Sequence, residues 1–436
     1  MQTLKIQDKL WVGLTLFSMF FGAGNLIFPP LLGAQSGTAL WLSMTGFCIS
    51  AIGLPILGVL AVAKAGGLNQ LAGRVGSKFA WWFSLLAYLS VGPGLAIPRT
   101  ASTSFEMAVT PFVSHVPGWA IWAYSLAFFA VAMLVAFNPE KLTDFLGRFL
   151  APCLLLLIGF VVVGCLLNPP GSYGAPVGKY AASALPAGFV NGYLTMDTIA
   201  ALNFGIVISL NIQAKGVTDP RSVVRNTIQA GWIAGAVLLL VYVALGHVGA
   251  VSAGLGQYTN GAGVLTLLVN WVYGPIGSVL LGVVFVIACL NTCIGLLSSC
   301  SEYFYKLFPR LSYRAWVVVF AAISFFVSIL GLDAILAVSI PVLNAIYPVA
   351  IALIVLGLTH KLWQNAPLCY PFTVAFTAFA SVVYALDEAR IALPLVTKLV
   401  QALPMYDLAL GWIVPALVGC LAGYLMSLVQ ASRQTA

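Results

Sequence analysis

Apolar residues in this chain fall into long runs separated by short polar hinges. A helix needs about 20 apolar residues to cross a hydrocarbon core about 30 Å thick. Twelve runs reach that length, near positions 9–32, 38–63, 79–110, 119–137, 142–167, 186–213, 226–250, 275–305, 314–331, 335–359, 369–388 and 408–430. A membrane β-barrel would instead alternate apolar and polar positions over segments of about ten residues, and the chain does not. The pattern predicts an all-α polytopic membrane protein with about 12 transmembrane helices, residues 1–436 forming one membrane domain.

Two connections carry shorter elements. "GLGQYTNGAGVLTLLVNWVYGP" (Gly254 to Pro275) holds an apolar piece too short to span, which reads as a re-entrant or capping hairpin. "ARIALPLVTKLVQALPMYDL" (Ala389 to Leu408) is amphipathic and predicts a helix lying along the interface.

The hinges orient the spans. Lys5 and Lys9 precede the first; Lys64, Arg74 and Lys78 follow the second; Lys141 and Arg148 follow the fourth. Lys215, Arg221 and Arg225 follow the sixth, Lys306, Arg310 and Arg314 the eighth, Lys361 the tenth and Arg433 the last. The opposite side carries only Lys179, Arg390 and Lys398. Positive charge favours the cytoplasmic side, so both termini are expected there.

Composition sharpens this picture. Hydrophobic residues make up 61% and charged residues 7%, against about 25% charged in soluble domains, so lipid is the expected solvent. The net charge of +8 is spread over hinges rather than gathered in a stripe, which argues against a nucleic-acid partner. The eight cysteines lie in or beside apolar runs with no metal-ligand spacing, and read as small hydrophobes. The first run is too long for a cleaved signal and has no small-residue cleavage site.

The candidate chemistry lies where spans are interrupted. "LFSMFFGAGNLIFPP" (Leu16 to Pro30) places Gly22, Ala23, Gly24, Asn25, Pro29 and Pro30 inside a span. Non-helical backbone at membrane depth survives only where it is buried in protein or lines a cavity. A break here would bare the N-terminus of the outer half-helix for an anionic group and free carbonyls for a cation. Small residues also serve tight helix packing, which is the plainer reading of a glycine pair alone. The sixth span, "GFVNGYLTMDTIAALNFGIVISLN" (Gly188 to Asn211), is interrupted too, with Asn191, Gly192, Asp197, Thr198, Asn203 and Gly205. Asp197 falls at mid-depth, where a carboxylate usually faces a cavity or a partner. Two interrupted spans at corresponding places in halves of opposite topology point to a transporter's central site.

The third span carries Arg99 and Glu106, two turns apart on one face, as substrate, gate or coupling candidates or as a structural pair. The eighth carries Asn291 and Thr292, whose oxygens suit a hard cation such as sodium, although a membrane threonine commonly bonds its own backbone.

"MFFGAGNLIFPPLLGAQSG" (Met19 to Gly37), "AIPRTASTSFE" (Ala96 to Glu106), "GYLTMDTIAALNFG" (Gly192 to Gly205) and "GLLSSCSEYF" (Gly295 to Phe304) together resemble the branched-chain amino acid:cation symporters of bacteria. The resemblance covers essentially the whole chain. It implies sodium- or proton-coupled import of leucine, isoleucine and valine across the bacterial cytoplasmic membrane, with no cofactor beyond the coupling ion. It also implies the leucine-transporter-like fold of the wider amino acid–polyamine–organocation group. Its five-plus-five inverted repeat would cover 9–167 and 186–359, with two additional C-terminal spans in 369–430. Under that resemblance the amides of Gly22, Ala23 and Gly24 bind a substrate carboxylate; Asn25, Arg99, Asp197 and Thr198 are the further substrate candidates. Asn25 coordinates a cation, and a second cation position draws on the carbonyls of Ser18 and Phe21 with Asn291 and Thr292. Relatives often use adjacent hydroxyls at that second position, whereas Thr292 stands between Asn291 and Cys293.

The rival readings are a proton-coupled carrier titrating at Asp197 or Glu106, an intramembrane enzyme, and a channel. The three histidines form no HExxH motif or nucleophile–base constellation. No ring-forming filter motif stands out either.

Overall fold

The computed structural model describes residues 4–113, 115–137, 151–256, 260–391 and 393–435. Among these no strand occurs. The helices are α1 (Ile6–Phe20), α2 (Ala23–Ser36), α3 (Leu40–Cys48), α4 (Leu54–Ala65), α5 (Leu68–Gly73), α6 (Ser77–Leu89) and α7 (Ala96–Ala108). They continue with α8 (Ala120–Ala136), α9 (Ala151–Leu167), α10 (Lys179–Asn191), α11 (Asp197–Ala214), α12 (Pro220–Ser252) and α13 (Gly261–Tyr273). The chain ends with α14 (Pro275–Leu307), α15 (Tyr313–Ser328), α16 (Leu332–Leu358), α17 (Cys369–Glu388), α18 (Pro394–Gln401) and α19 (Ile413–Thr435). The expected fifth span is described only from Ala151 onward; its first residues, with Lys141 and Arg148, lie outside the described residues.

Seven helical stretches among the described residues are long and apolar enough to cross a membrane, and four shorter apolar helices accompany them. Their outer faces carry exposed Trp232, Leu240, Leu156 and Ile276, the surface expected of a chain solvated by lipid. The two connecting pieces also form helices. α13 packs on α2 and α14, and α18 leaves Leu395 and Leu399 exposed beside Lys398.

The first span is two helices rather than one. Phe21 turns to ψ 106° and Gly22 is extended at φ −141°, ψ −160°, which ends α1 and lets α2 begin at Ala23. Pro29 and Pro30 do not mark the break: α2 runs through both, although proline removes a donor and strains a helix interior. The sixth span is also divided. α10 gives way to a 3₁₀ turn at Gly192–Thr195, Met196 takes the left-handed conformation (φ 66°, ψ 7°), and α11 starts at Asp197. The third span carries a π turn at Ser90–Gly94 around non-helical Gly92 before α7 begins.

The broken spans pack crosswise. α1 and α2 lie along α12, while α10 lies along α3 and α11 along α4. Two of these seams, α2 on α12 and α10 on α3, have backbone against backbone. A Cβ at Gly33 of α2 would sit 1.9 Å from the carbonyl oxygen of Gly246 in α12. One at Gly188 of α10 would sit 1.9 Å from that of Ser43 in α3. Only glycine fits at either contact. At the end of the molecule that carries Asp8, its carboxylate meets Lys215 at 3.0 Å and ties the start of α1 to the end of α11.

Candidate functional site

The two breaks meet. The Gly22–Asn25 segment and the Thr195–Asp197 segment line one cavity of about 20 Å³, closed by Phe20, Val91, Arg99, Thr292 and Leu296. That is room for one or two waters. The N-terminal ends of α2 and α11 both open onto it, so two helix dipoles present their positive ends to one small space.

Asn25 holds the first break in shape. Its Oδ1 accepts the Gly22 N–H at 3.0 Å, capping α2 from within. Its Nδ2 crosses to the second break and donates to Asp197 Oδ2 at 2.6 Å, and it also donates to the Tyr242 hydroxyl. Tyr242 in turn donates to Asp197 Oδ2 at 3.1 Å. A closed triangle of amide, carboxylate and phenol therefore joins α2, α11 and α12, with all three side chains buried. Asp197 is the first residue of α11, where a carboxylate is favoured by the helix N-terminus.

On the other side of the cavity stands Arg99 of α7, 4% exposed. Its Nη1 donates to the Leu194 carbonyl, freed by the second break, at 2.7 Å. Its guanidinium lies 5.6 Å from the Phe28 ring centre, within cation–π range, and its Nε has no hydrogen-bond partner among the described residues. A Cβ at Gly24 would come within 2.8 Å of Arg99 Nη2 and 3.3 Å of the Thr195 backbone, so this glycine makes room for the guanidinium.

The carbonyls freed at the first break have neutral partners. Asn291 Nδ2 donates to Ser18 O at 2.9 Å and to Ser18 Oγ at 2.8 Å, and Thr292 Oγ1 donates to Phe21 O at 3.1 Å. Asn291 Oδ1 is buried without a hydrogen-bond partner among the described residues. Ser18, Phe21, Asn291 and Thr292 are thus brought together as a group of oxygen-bearing residues beside the cavity. Gly22 is required here as well, since a Cβ on it would lie 2.3 Å from Thr292 Oγ1.

Two sequence candidates stand elsewhere. Thr198 points away from the cavity: its hydroxyl donates to Ser50 O at 3.3 Å, and its N–H to the Tyr347 hydroxyl at 3.4 Å. Glu106 does not accompany Arg99. It accepts from Asn260 Nδ2 at 2.9 Å, and the same nitrogen reaches Asp333 at 3.3 Å, which joins α7, the start of α13 and α16. Seven residues of α7 hold the two side chains about 10 Å apart along the helix axis, so Arg99 meets Leu194 at the cavity while Glu106 meets Asn260.

Sequence reasoning missed Tyr242, Thr195 and the Leu194 carbonyl. Tyr242 lies in "VLLLVYVALG" (Val237 to Gly246), and a phenol in the middle of an apolar run was the available signal. Thr195 Oγ1 donates to Gly192 O at 2.9 Å and accepts from the Asp197 N–H at 3.4 Å, bracing the second break.

Comparison with known proteins gives the family and the fold. A family model described as "Branched-chain amino acid transport protein" matches residues 5–430. The branched-chain amino acid permease BrnQ of Bacillus subtilis is 39% identical over 422 residues, covering 96% of each chain. The branched-chain amino acid transport system 3 carrier protein of Pseudomonas aeruginosa is 43% identical over 419 residues, covering 95% of each. Among solved structures, Mhp1, a nucleobase-cation-symport-1 family transporter in a closed conformation, aligns with a TM-score of 0.61 at 15% identity. That alignment covers 98% of this chain and 93% of Mhp1. MhsT in complex with L-phenylalanine aligns with a TM-score of 0.57 at 16% identity, covering 98% of this chain and 99% of MhsT. These likenesses establish the fold, which is that of leucine-transporter-like carriers.

Proposed function

The chain belongs to the family of branched-chain amino acid transport proteins, and from that premise we propose that it imports leucine, isoleucine and valine by sodium-coupled alternating access. The observation that carries this reading is the meeting of both helix breaks on one cavity, with Arg99 on one side and Asp197 on the other. An amino acid's head group is a zwitterion. The guanidinium and the amides of Gly22, Ala23 and Gly24 suit its carboxylate, and Asp197 with the freed carbonyls suits its ammonium. Apolar Phe20, Val91, Ala200 and Leu296 on the same walls suit a branched aliphatic side chain. The cavity is too small for that cargo as it stands, so binding requires the breaks to part and the Asn25–Asp197–Tyr242 triangle to exchange partners.

Sodium is a hard cation that takes oxygen ligands, and the Ser18 and Phe21 carbonyls, the Thr292 hydroxyl and Asn291 Oδ1, which has no hydrogen-bond partner among the described residues, supply them. A cation there would draw α1 and α14 together beside the first break and favour the conformation that binds substrate. Its inward gradient would then drive accumulation. Asn25 takes the part of a relay, since its amide already connects the first break to Asp197.

The same reading assigns twelve spans, an inverted repeat over 9–167 and 186–359, two further spans in 369–430, and a bacterial cytoplasmic membrane with both termini inside. The crosswise packing of each broken span supports the repeat: α1 and α2 lie on α12, and α10 and α11 on α3 and α4.

The deciding experiment is labelled leucine uptake into proteoliposomes, with an inward sodium gradient and then with choline at matched pH. Uptake that needs sodium supports the assignment. Uptake that follows a proton gradient without sodium replaces the sodium coupling with proton coupling. No uptake in either case rejects the substrate.

A further inference from the structure

Among the described residues, Asn203 stands out as a buried amide with both polar atoms unpartnered. It is 2% exposed, and neither its Nδ2 nor its Oδ1 has a hydrogen-bond partner among the described residues. A primary amide can make up to four hydrogen bonds, and burying one with none leaves its full desolvation penalty uncompensated. Such groups are rare in native folds and call for a cause. At membrane depth the usual cause is a pathway for a polar solute.

Its position on α11 narrows the cause. Asp197, Ala200 and Asn203 follow one another at intervals of three, and residues so spaced are neighbours on a helix surface. Asp197 and Ala200 line the cavity, and Asn203 stands a further turn along. The direction is toward Lys215, which pairs with Asp8 at the start of α1. The face of α11 that packs on α4 is a different one. A Cβ at Gly58 would meet Ala201, and one at Gly205 would meet Val59 and Val62.

We propose that Asn203 is a polar station on the route by which cargo leaves the cavity toward the end of the molecule that carries Asp8 and Lys215. When α1 and α11 part, its amide takes water and then the head group of the departing amino acid into hydrogen bonds. In the closed arrangement the same amide is orphaned, so it raises the closed state relative to the opened one. Asn203 is therefore both a binding group for a zwitterion in transit and a bias toward release. The inference rests on the transport reading above.

An apolar substitute with the same branching at Cγ tests it. Asn203→Leu removes the orphaned amide, so the purified protein should unfold at a higher temperature and bind leucine within about twofold of the native chain. Its uptake rate at saturating leucine and sodium should fall about tenfold, the scale of one unsatisfied polar group. Asn203→Ser keeps a hydrogen-bonding group and should retain uptake within about threefold. Native-like uptake by Asn203→Leu overturns the proposal. So does a lower unfolding temperature together with lost binding, which would make the amide part of the packed core. If the native chain itself takes up no leucine, the transport reading fails on its own. The unfolding temperature then decides alone: a rise supports a site for a polar ligand at Asn203, and a fall overturns it.

Discussion

The two helix breaks do the same geometric job with opposite electrostatics. At the first, the freed carbonyls of Ser18 and Phe21 are met by a neutral amide and a hydroxyl, Asn291 and Thr292, both from α14. At the second, the freed carbonyl of Leu194 is met by the fixed positive charge of Arg99, from α7. Neutral donors can turn aside and leave carbonyl oxygens to a visiting cation. A buried guanidinium cannot leave, and it repels any cation that approaches. The first break is thus built to exchange its partner and the second to keep it. On the function proposed above, cation chemistry is assigned beside α1 and α14, and recognition of an anionic group beside α7.

The largest expected effect comes from a change that breaks this division outright. Gly24→Leu drives a side chain into Arg99 Nη2 and the Thr195 backbone, so the guanidinium is displaced from the second break by a residue of the first. Leucine uptake should fall by more than about 100-fold while the protein still reaches the membrane, because overpacking at a site costs function before fold. Substantial uptake with normal sodium dependence would show that Arg99 and Gly24 do not share a working site.

Thr292→Val sharpens the comparison from the cation side. It removes a hydroxyl oxygen beside Phe21 O while keeping the side chain's shape. The sodium concentration for half-maximal uptake should rise about tenfold, with leucine affinity at saturating sodium unchanged. A shift in leucine affinity without a shift in sodium dependence would reverse the roles assigned to the two breaks.

Tyr242→Phe makes the smallest change. It deletes the hydroxyl's two hydrogen bonds, the one donated to Asp197 and the one accepted from Asn25, and leaves the ring, which packs edge-on against Phe47. The leucine KM should rise about fivefold, with the sodium dependence intact. If the sodium response moved instead, the triangle of Asn25, Asp197 and Tyr242 would be serving the first break rather than the second.

How far these features could be read from sequence depended on what each residue type has to do alone. Gly22, Gly24, Gly192 and Asp197 stand out in apolar runs because such residues have few roles at membrane depth, so the breaks and the central carboxylate were legible. The end of α1 was legible only approximately. Pro29 and Pro30 are strong helix breakers in isolation, yet α2 carries them, and extended Gly22 ends the first helix instead. Thr198 shows a second limit. It follows Asp197 directly, and one step along a helix turns a side chain through about 100°, here toward Ser50 and Tyr347. Arg99 and Glu106 share a face by spacing, but their separation along α7 gives each a different neighbourhood, one at the cavity and one at Asn260. Tyr242 was hidden because tyrosine in an apolar run reads equally as packing. Its partners come from helices far away in sequence, and no local pattern announces them.

The backbone seams have a mechanical consequence. Where Gly33 meets Gly246 and Gly188 meets Ser43, no side chain stands between the helices to change rotamer and absorb displacement. α2 is welded to α12 and α10 to α3, so each pair must move as a beam. Compliance is left to the short joints at Phe21–Gly22 and Gly192–Met196, of which Gly22, Thr195 and Met196 border the cavity. Whatever occupies that cavity acts on the joints directly, as a splint as much as a cargo.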